Sequence, residues 1–174
     1  CDWSSDVCSS DLVLAAEVDG LLANAAPAPG PVPKALIVPH AGYPYSGPIA
    51  ATAYARLRPA REIIRRVVLL GPAHRDWFEG LALPSVDAFR TPLGDVAIDR
   101  TAVMALRMLP QVSVRDDAHK AEHSLEVHLP FLQRLLPDFA LVPLAVGEAS
   151  AEQVARVLAA VWGGPETVIV ISSD

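Results

Sequence analysis

The sequence predicts an α/β protein in which a mixed or parallel sheet is covered by helices on both faces. Strongly apolar, strand-like runs alternate along the chain with segments of helical periodicity, as in proteins whose strands are joined by helices. These runs are apolar at nearly every position, which is typical of strands buried on both faces. A chain of 174 residues, 52% hydrophobic and 20% charged, can form one sizeable core, so we expect a single domain.

The first twelve residues, CDWSSDVCSSDL, share no periodicity with the rest of the chain. They resemble the in-frame translation of a sequencing-library adapter, so we expect residues 1–12 to be an artefactual tail and residues 13–174 to form the domain. An ordinary polar tail is the alternative. Cys1 and Cys8 both fall in this segment, and two cysteines without a matching second pair are a weak signal for a disulfide or metal site.

Residues 24–33 are rich in alanine and proline and predict an extended linker. The first strand is predicted at residues 35–39, where ALIVP runs into a turn of glycines, prolines and tyrosines. A helix is expected over residues 48–57, with Ser46 near its N-cap and Pro48 in its first turn, where a missing N–H costs least.

The apolar run RVVLL predicts the next strand at residues 66–70. Leucines recur at spacings of 4, 3 and 4 residues between positions 125 and 136, which indicates a helix face packed on the sheet. Pro130 lies inside that pattern and should kink the helix. The other predicted elements are short strands at 80–84 and 95–99, a helix at 100–109, a strand at 112–115, a helix at 123–136, a strand at 139–146, a helix at 151–161 and a strand at 167–172.

Polar side chains follow three of the predicted strands. His40 comes directly after LIVP, His74 follows VVLLGPA, and Asp174 follows VIVISS. In open α/β sheets, ligands bind at the edge formed by the carboxyl ends of the strands. Neutral imidazoles suit iron, copper and zinc, although a single histidine in a turn is more often a hydrogen-bonding residue. Because the layout recurs, we predict a metal site, with the side-chain nitrogens of His40 and His74 about 3–5 Å apart.

A second polar patch has the sequence AHKAEHSLEVH. His119, Glu122 and His123 spell H-x-x-E-H, the inverted zinc-protease motif, in which two histidines hold zinc and the glutamate acts as base. The alternative is that Glu122 serves a helix N-terminus. We predict that His123, rather than His119 or His128, lies nearest to the two strand-end histidines, where it could orient a ligand or hold a substrate carboxylate.

Composition and charge exclude several classes of function. A net charge of −6 leaves no basic footprint for nucleic acid. No apolar run approaches membrane-spanning length, and no secretory signal pattern is present, so we expect no membrane partner and a cytoplasmic location.

Six ordered motifs carry a resemblance to a known family: VPHAGYPYSGPIAATAY, LLGPAHR, TPLGDVAID, AHKAEHSLEVHLPFLQ, VPLAVG and VISSD. In this order and at this spacing they resemble the MEMO family, whose bacterial and archaeal members are called AmmeMemoRadiSam system protein B. That family is similar in fold to class III extradiol (LigB-type) dioxygenases, α/β proteins with a mononuclear non-haem iron. The resemblance implies that His40 and His74 are metal ligands, with Asp174 beside an Fe(II) or copper ion.

Members of this family continue beyond SSD with a histidine a few residues on and a later cysteine that serves as third metal ligand. Neither residue is present in this sequence, so the resemblance implies the N-terminal part of the domain, with a sheet that is incomplete at its C-terminus. We expect this fragment itself to be inactive. The resemblance also implies a functional link to radical-SAM and AMMECR1-like proteins.

Three functional hypotheses follow. The first is a metal-dependent redox or dioxygenase-like enzyme acting on an unidentified small molecule or peptide, with Asp174 and His123 as candidate catalytic residues. The second is a non-catalytic member that uses the same cleft to bind a metal, a peptide or a partner protein. The third is a zinc hydrolase built on H-x-x-E-H. For the cleft itself, we expect Glu122 and one of Tyr43 and Tyr45 to line it.

Overall fold

The computed structural model describes residues 11–26 and 29–173. Within these ranges the helices are α1 (Asp11–Asn24), α2 (Tyr43–Ala55), α3 (Arg100–Leu106), α4 (Asp117–Lys120), α5 (Leu129–Leu135) and α6 (Ala151–Val161). The strands are β1 (Ala35–Pro39), β2 (Arg66–Pro72), β3 (Leu81–Leu83), β4 (Ala88–Thr91), β5 (Gly94–Ala97), β6 (Val112–Val114), β7 (Ala140–Val146) and β8 (Thr167–Ser173). Short 3₁₀ turns occupy Arg58–Ala60 and Glu126–His128.

The main sheet of the described chain has the strand order β1-β8-β2-β7-β3-β6. β1, β8, β2 and β7 are all parallel to one another, whereas β3 runs antiparallel to β7 and parallel to β6. β4 and β5 form a separate antiparallel pair. The predicted α/β class with a mixed sheet is therefore confirmed.

Helices cover the middle of this sheet. The interior residues of β2 and β7 are all buried, although successive side chains of a strand point to opposite faces, so both faces are shielded there. One group of helices consists of α1, α2 and α5, which contact one another, while α3 contacts α6. No helix of the described residues is long and apolar enough to cross a lipid bilayer.

The parallel register brings two chain turns to the same edge of the sheet. Pro39 at the end of β1 lies level with Ser173 of β8, and Leu70 of β2 lies level with Ile171 of the same strand. The residues that follow β1 and β2 therefore leave the sheet at neighbouring positions, on either side of the end of β8.

α2 begins five residues before the predicted start at residue 48, and the expected boundary was wrong. Gly42 is its N-cap, and Pro44 occupies the first turn, where its fixed φ and missing N–H are tolerated. Pro48 lies inside the helix instead. Ser46 does not cap the helix; it is buried, and its hydroxyl donates to the Ala41 carbonyl at 2.5 Å.

The single kinked helix predicted over residues 123–136 was also wrong. α4 ends at Lys120, an irregular segment follows, and the chain becomes α-helical again only at Leu129. Pro130 lies in the first turn of α5, so it begins a helix rather than bending one. The irregular segment between α4 and the 3₁₀ turn is what positions part of the candidate site.

α1 was not predicted, and it contributes directly to the core. Leu14, Val18 and Leu22 recur every four residues and are buried. The helix packs against α2 and α5, and the Arg134 guanidinium holds the Asp19 carboxylate through two hydrogen bonds of 2.7 and 2.6 Å. Cys1 and Cys8, which are only a weak signal for a disulfide or metal site, lie outside the described residues.

Candidate metal centre at the edge of the sheet

Three imidazole rings meet at the sheet edge where β1 and β2 end. The ring centroids of His40 and His74 lie 5.1 Å apart, and those of His74 and His123 lie 5.4 Å apart with the rings nearly parallel. The His40 and His123 centroids are separated by 6.1 Å. We refer to these three side chains as the imidazole cluster. As predicted, His123 is the histidine of its segment that lies beside the two strand-end histidines.

The three rings reach this point from different elements. His40 follows β1 directly and is buried, with 3% of its surface exposed. His74 comes two residues after β2. His123 lies in the irregular segment after α4, and 42% of its side chain is exposed. The cluster is therefore closed on the His40 side and open to solvent on the His123 side.

Glu122 is buried beneath the cluster and holds His74. One carboxylate oxygen accepts the His74 backbone N–H at 2.6 Å, and the other lies 2.9 Å from His74 Nδ1. The second oxygen also accepts the Ser124 N–H at 2.9 Å. Burial alone would raise the pKa of Glu122, but the hydrogen bonds from His74 and Ser124 outweigh it and hold the pKa below its ordinary value. Glu122 is therefore an ionised acceptor that orients the His74 ring.

His40 is held in a comparable way by a serine. Its Nδ1 lies 2.8 Å from the Ser172 hydroxyl, which also contacts the Ser124 carbonyl at 2.6 Å. Ser124 and Ser172 are both buried. Neither serine was predicted as a site residue. Ser172 carried a weak signal, because it is the last residue of a predicted strand, and ligands bind at the edge that such strand ends form.

The structure gives the two tyrosines of the turn different surroundings. The Tyr43 hydroxyl donates to the Val127 carbonyl at 2.8 Å, and its ring packs edge-on against Phe131. Burial raises the pKa of Tyr43 well above its ordinary value. Tyr45 is 82% exposed. The expectation that one of the two tyrosines lines the cleft stays a prediction. Asp174 lies outside the described residues.

The other two histidines are core residues. His119 is buried on α4, with Nε2 3.1 Å from the Ala82 carbonyl and its ring against Phe89. His128 is buried and pairs through Nδ1 with the Tyr54 hydroxyl at 2.9 Å. Burial, together with the charge of nearby His40, lowers the pKa of His128 to about 3. Both side chains serve packing and hydrogen bonding within the core.

The inverted zinc-protease interpretation of H-x-x-E-H fails on this geometry. It requires His119 and His123 on one helical face, but α4 ends at Lys120, between them. His119 points toward Ala82, while His123 stacks on His74. Glu122, the supposed base of that motif, is occupied with His74 and Ser124.

The donor set suits a transition metal. Among the described residues, His74, Glu122 and His123 bring one potential ligand atom each to within 4.8 Å of one another. His40 adds a third imidazole beside them. Imidazole nitrogens are common ligands of iron, copper and zinc, and a carboxylate bonded to the remote nitrogen of a ligating histidine is their usual support. Glu122 stands in that supporting position toward His74.

A groove beside His74 offers room for a further ligand. It has a volume of about 450 Å³, and the chain around its mouth includes Trp77, whose indole N–H donates to a Glu148 carboxylate oxygen at 3.2 Å. The Trp77 side chain is largely exposed. An aromatic surface, a carboxylate and the His74 imidazole therefore line the same groove.

Comparison with known proteins identifies relatives along nearly the whole chain. Residues 10–174 match the family described as Memo-like protein. The chain is similar to Protein MEMO1 of Xenopus laevis, with 36% identity over 171 residues, 92% of this chain and 56% of that protein. It is 42% identical over 146 residues to a MEMO1 family protein of Aquifex aeolicus, covering 82% of this chain and 53% of that protein.

Protein MEMO1 of Homo sapiens is 34% identical over 171 residues, again 92% of this chain and 56% of that protein. The chain thus spans about half the length of the curated relatives it matches.

Proposed function

Because this chain belongs to the Memo-like protein family and brings three imidazoles together at one sheet edge, we propose that it binds a redox-active transition-metal ion there. His40 and His74 are the proposed ligands, and Fe(II) or copper is the proposed ion. The observation that carries the proposal is that buried acceptors hold the remote nitrogen of both rings: Ser172 for His40 and Glu122 for His74. Support of this kind at Nδ1 is usual for histidines that bind a metal ion through Nε2.

The other residues of the site support this assignment by position. His123 stacks on His74 with ring centroids 5.4 Å apart on the open side, where it can supply a further nitrogen or hold a proton near a bound substrate. Asp174, next in the sequence after β8, keeps its proposed catalytic role. The bound ion, with positions left open, would supply activation of dioxygen or of an oxidisable substrate.

The groove beside His74 is the proposed place of the substrate. Its volume of about 450 Å³ suits a small molecule or a short peptide segment. Trp77 offers a ring surface for stacking and Glu148 an acceptor for a polar group. In the non-catalytic alternative, the same cleft binds a metal ion or a peptide without turnover. His40 and His74 are the metal ligands in that case too.

Isothermal titration calorimetry on the chelator-treated chain tests metal binding. Fe(II) under anaerobic conditions, Cu(II) and Zn(II) are titrated into the parent chain and into the His40→Ala and His74→Ala variants. We expect stoichiometric binding of at least one of the redox metals by the parent and its loss in both variants, because each removes a proposed ligand.

His119→Gln is the matched control for this titration. It removes an imidazole from the neighbouring segment but keeps a donor for the Ala82 carbonyl, so its metal binding should equal that of the parent. Circular dichroism establishes that each variant is folded. Binding that survives in His40→Ala and His74→Ala, or that is lost in His119→Gln alone, would refute the proposed site.

A further inference from the structure

Ser124 connects the two histidines proposed as metal ligands. It is fully buried, and each of its polar groups is engaged. Its N–H donates to Glu122, its hydroxyl donates to the Pro72 carbonyl at 2.9 Å, and its own carbonyl accepts from Ser172 at 2.6 Å. One residue therefore touches both the acceptor of His74 and the acceptor of His40, while its side chain is tied to the end of β2.

The direction of the hydrogen bonds on the His40 side follows from proton counting. A serine hydroxyl carries one proton, and the Ser124 carbonyl can only accept. The Ser172 proton is therefore used on Ser124, and the Ser172 oxygen can only accept from His40. His40 consequently carries its proton on Nδ1, and the lone pair of its neutral ring is on Nε2.

The same reasoning fixes the His74 side. Both oxygens of Glu122 accept backbone N–H groups, one from His74 and one from Ser124. The carboxylate therefore acts as an acceptor, and His74 Nδ1, 2.9 Å away, is the donor. His74 also carries its proton on Nδ1, so its Nε2 has the lone pair.

The backbone at Gly71 allows this arrangement. A Cβ atom built there would lie 2.7 Å from the Ser124 hydroxyl and 2.8 Å from a methyl group of Leu125. Any larger residue would push this segment away from β2. The close approach lets the Ser124 hydroxyl reach Pro72, and so fixes the height of the segment relative to the strand that leads to His74.

We propose that one hydrogen-bonded chain, Ser172–Ser124–Glu122, acts as the positioning device that holds His40 and His74 together in the Nδ1–H tautomer. This inference rests on the proposed metal site and deepens it, because the tautomer decides which nitrogen can bind a metal ion. Ser124 and Ser172 are positioning residues, since they act through Glu122 and the two imidazoles.

Long-range ¹H–¹⁵N correlation spectra of the ¹⁵N-labelled, metal-free chain at pH 8 report the tautomer of each histidine. We expect His40 and His74 to show protonated Nδ1 in the parent. Ser172→Ala should move His40 toward the Nε2–H form and leave His74 unchanged, while Glu122→Gln should do the reverse. Ser124→Ala, which frees the segment from Pro72, should alter both rings.

Ser113→Ala is the matched control, because it removes a hydroxyl from an exposed position of β6, which lies at the opposite end of the sheet from β1. It should alter neither ring. Metal affinity, measured by calorimetry as above, should fall by about 10- to 100-fold in Ser172→Ala, as is usual when the support of a ligating histidine is lost.

The two proposals fail separately in this experiment. The inference is overturned, even if metal binds, by an Nε2–H signal from His40 or His74 in the parent. It is also overturned if the His40 tautomer is the same in Ser172→Ala as in the parent. If Ser124→Ala moves neither ring, the Ser124 hydroxyl and its bond to Pro72 play no part in positioning the imidazoles, and that part of the inference is overturned. Nδ1–H tautomers in a chain that binds no metal support the hydrogen-bonded chain and refute the proposed function.

Discussion

His128 shows how one buried side chain makes the folded state sensitive to pH. Its pKa falls from an ordinary value of 6.5 to about 3, first because it is buried and then because of the nearby His40 charge. The unfolded chain therefore binds a proton here that the folded chain does not. As pH falls below about 6.5, His128 destabilises the folded state, with a slope that approaches about 1.4 kcal/mol per pH unit and ends near pH 3.

Glu126 acts in the opposite direction. Burial raises its pKa from 4.5 to about 7, so the folded chain holds a proton that the unfolded chain has lost. Its contribution is present below about pH 4.5 and disappears as pH rises toward 7. Between about pH 4.5 and 6.5 the two residues offset each other.

His128→Gln is therefore expected to change the pH dependence of stability as well as its level. Relative to the parent, the variant should gain up to about 1.4 kcal/mol of unfolding free energy per pH unit as pH falls from 6 to 4. Urea unfolding at a series of pH values measures this difference. Glu126→Gln is the control of opposite sign, and parallel curves for the parent and His128→Gln would contradict the prediction.

Sequence reasoning reached some residues of the site and missed others for a physical reason. His40 and His74 were predictable because each follows an apolar strand, and the edge of a parallel sheet gathers such residues. Ser172 and Ser124 were not, because a buried serine becomes important only through the atoms it faces.

At the scale of elements, α1 is the largest departure from the sequence prediction. It starts with Asp11, inside the segment assigned to an artefactual tail, and three of its apolar side chains lie in the core. Its four-residue spacing is a weak signal, because Leu12 and Val13 are apolar yet exposed, and Glu17 and Asp19 alone do not mark a continuous polar face. Two prolines gave wrong helix boundaries. Pro48 predicted the start of α2, but Pro44 occupies its first turn. Pro130 predicted a kink within a long helix, but it lies in the first turn of α5.

A pair of leucines in α1 tests whether this helix belongs to the cooperative core. Leu14 is completely buried, whereas Leu12 is 76% exposed on the same helix. Leu14→Ala should lower the unfolding free energy by about 2–5 kcal/mol through lost burial and the cavity left behind. Leu12→Ala should change it by about 0.5 kcal/mol or less. Urea unfolding followed by circular dichroism measures both, and equal effects would show that α1 is not packed on the core.

At the scale of the whole molecule, a metal site that forms only in the folded state must stabilise the fold. A free ion concentration of 100 times the dissociation constant should add about 2.7 kcal/mol to the unfolding free energy. We expect this gain for the parent in urea unfolding with and without the ion, and its absence in His74→Ala. His119→Gln should keep the full gain. A gain that persists in His74→Ala would mean that the ion is bound elsewhere.

The order of the strands lay beyond what the sequence could predict. Apolar runs separated by helices indicated a sheet, and the α/β class followed. The insertion of β8 between β1 and β2, and the reversal at β3, depend on contacts between residues far apart in the chain. Local periodicity carries no information on such pairings, because the same run of residues is compatible with several neighbours.

The pairing of β1 with β8 also determines when the site can form during synthesis of the chain. His40 and its partner Ser172 are 132 residues apart, and the neighbour of β1 in the sheet is the last described strand to be synthesised. At about 5–20 residues per second on a ribosome, roughly 7 to 26 s pass between the synthesis of the two residues. During that interval the turn carrying His40 has no strand to dock on. An ion bound at the proposed site would therefore be acquired late, after β8 has taken its place between β1 and β2.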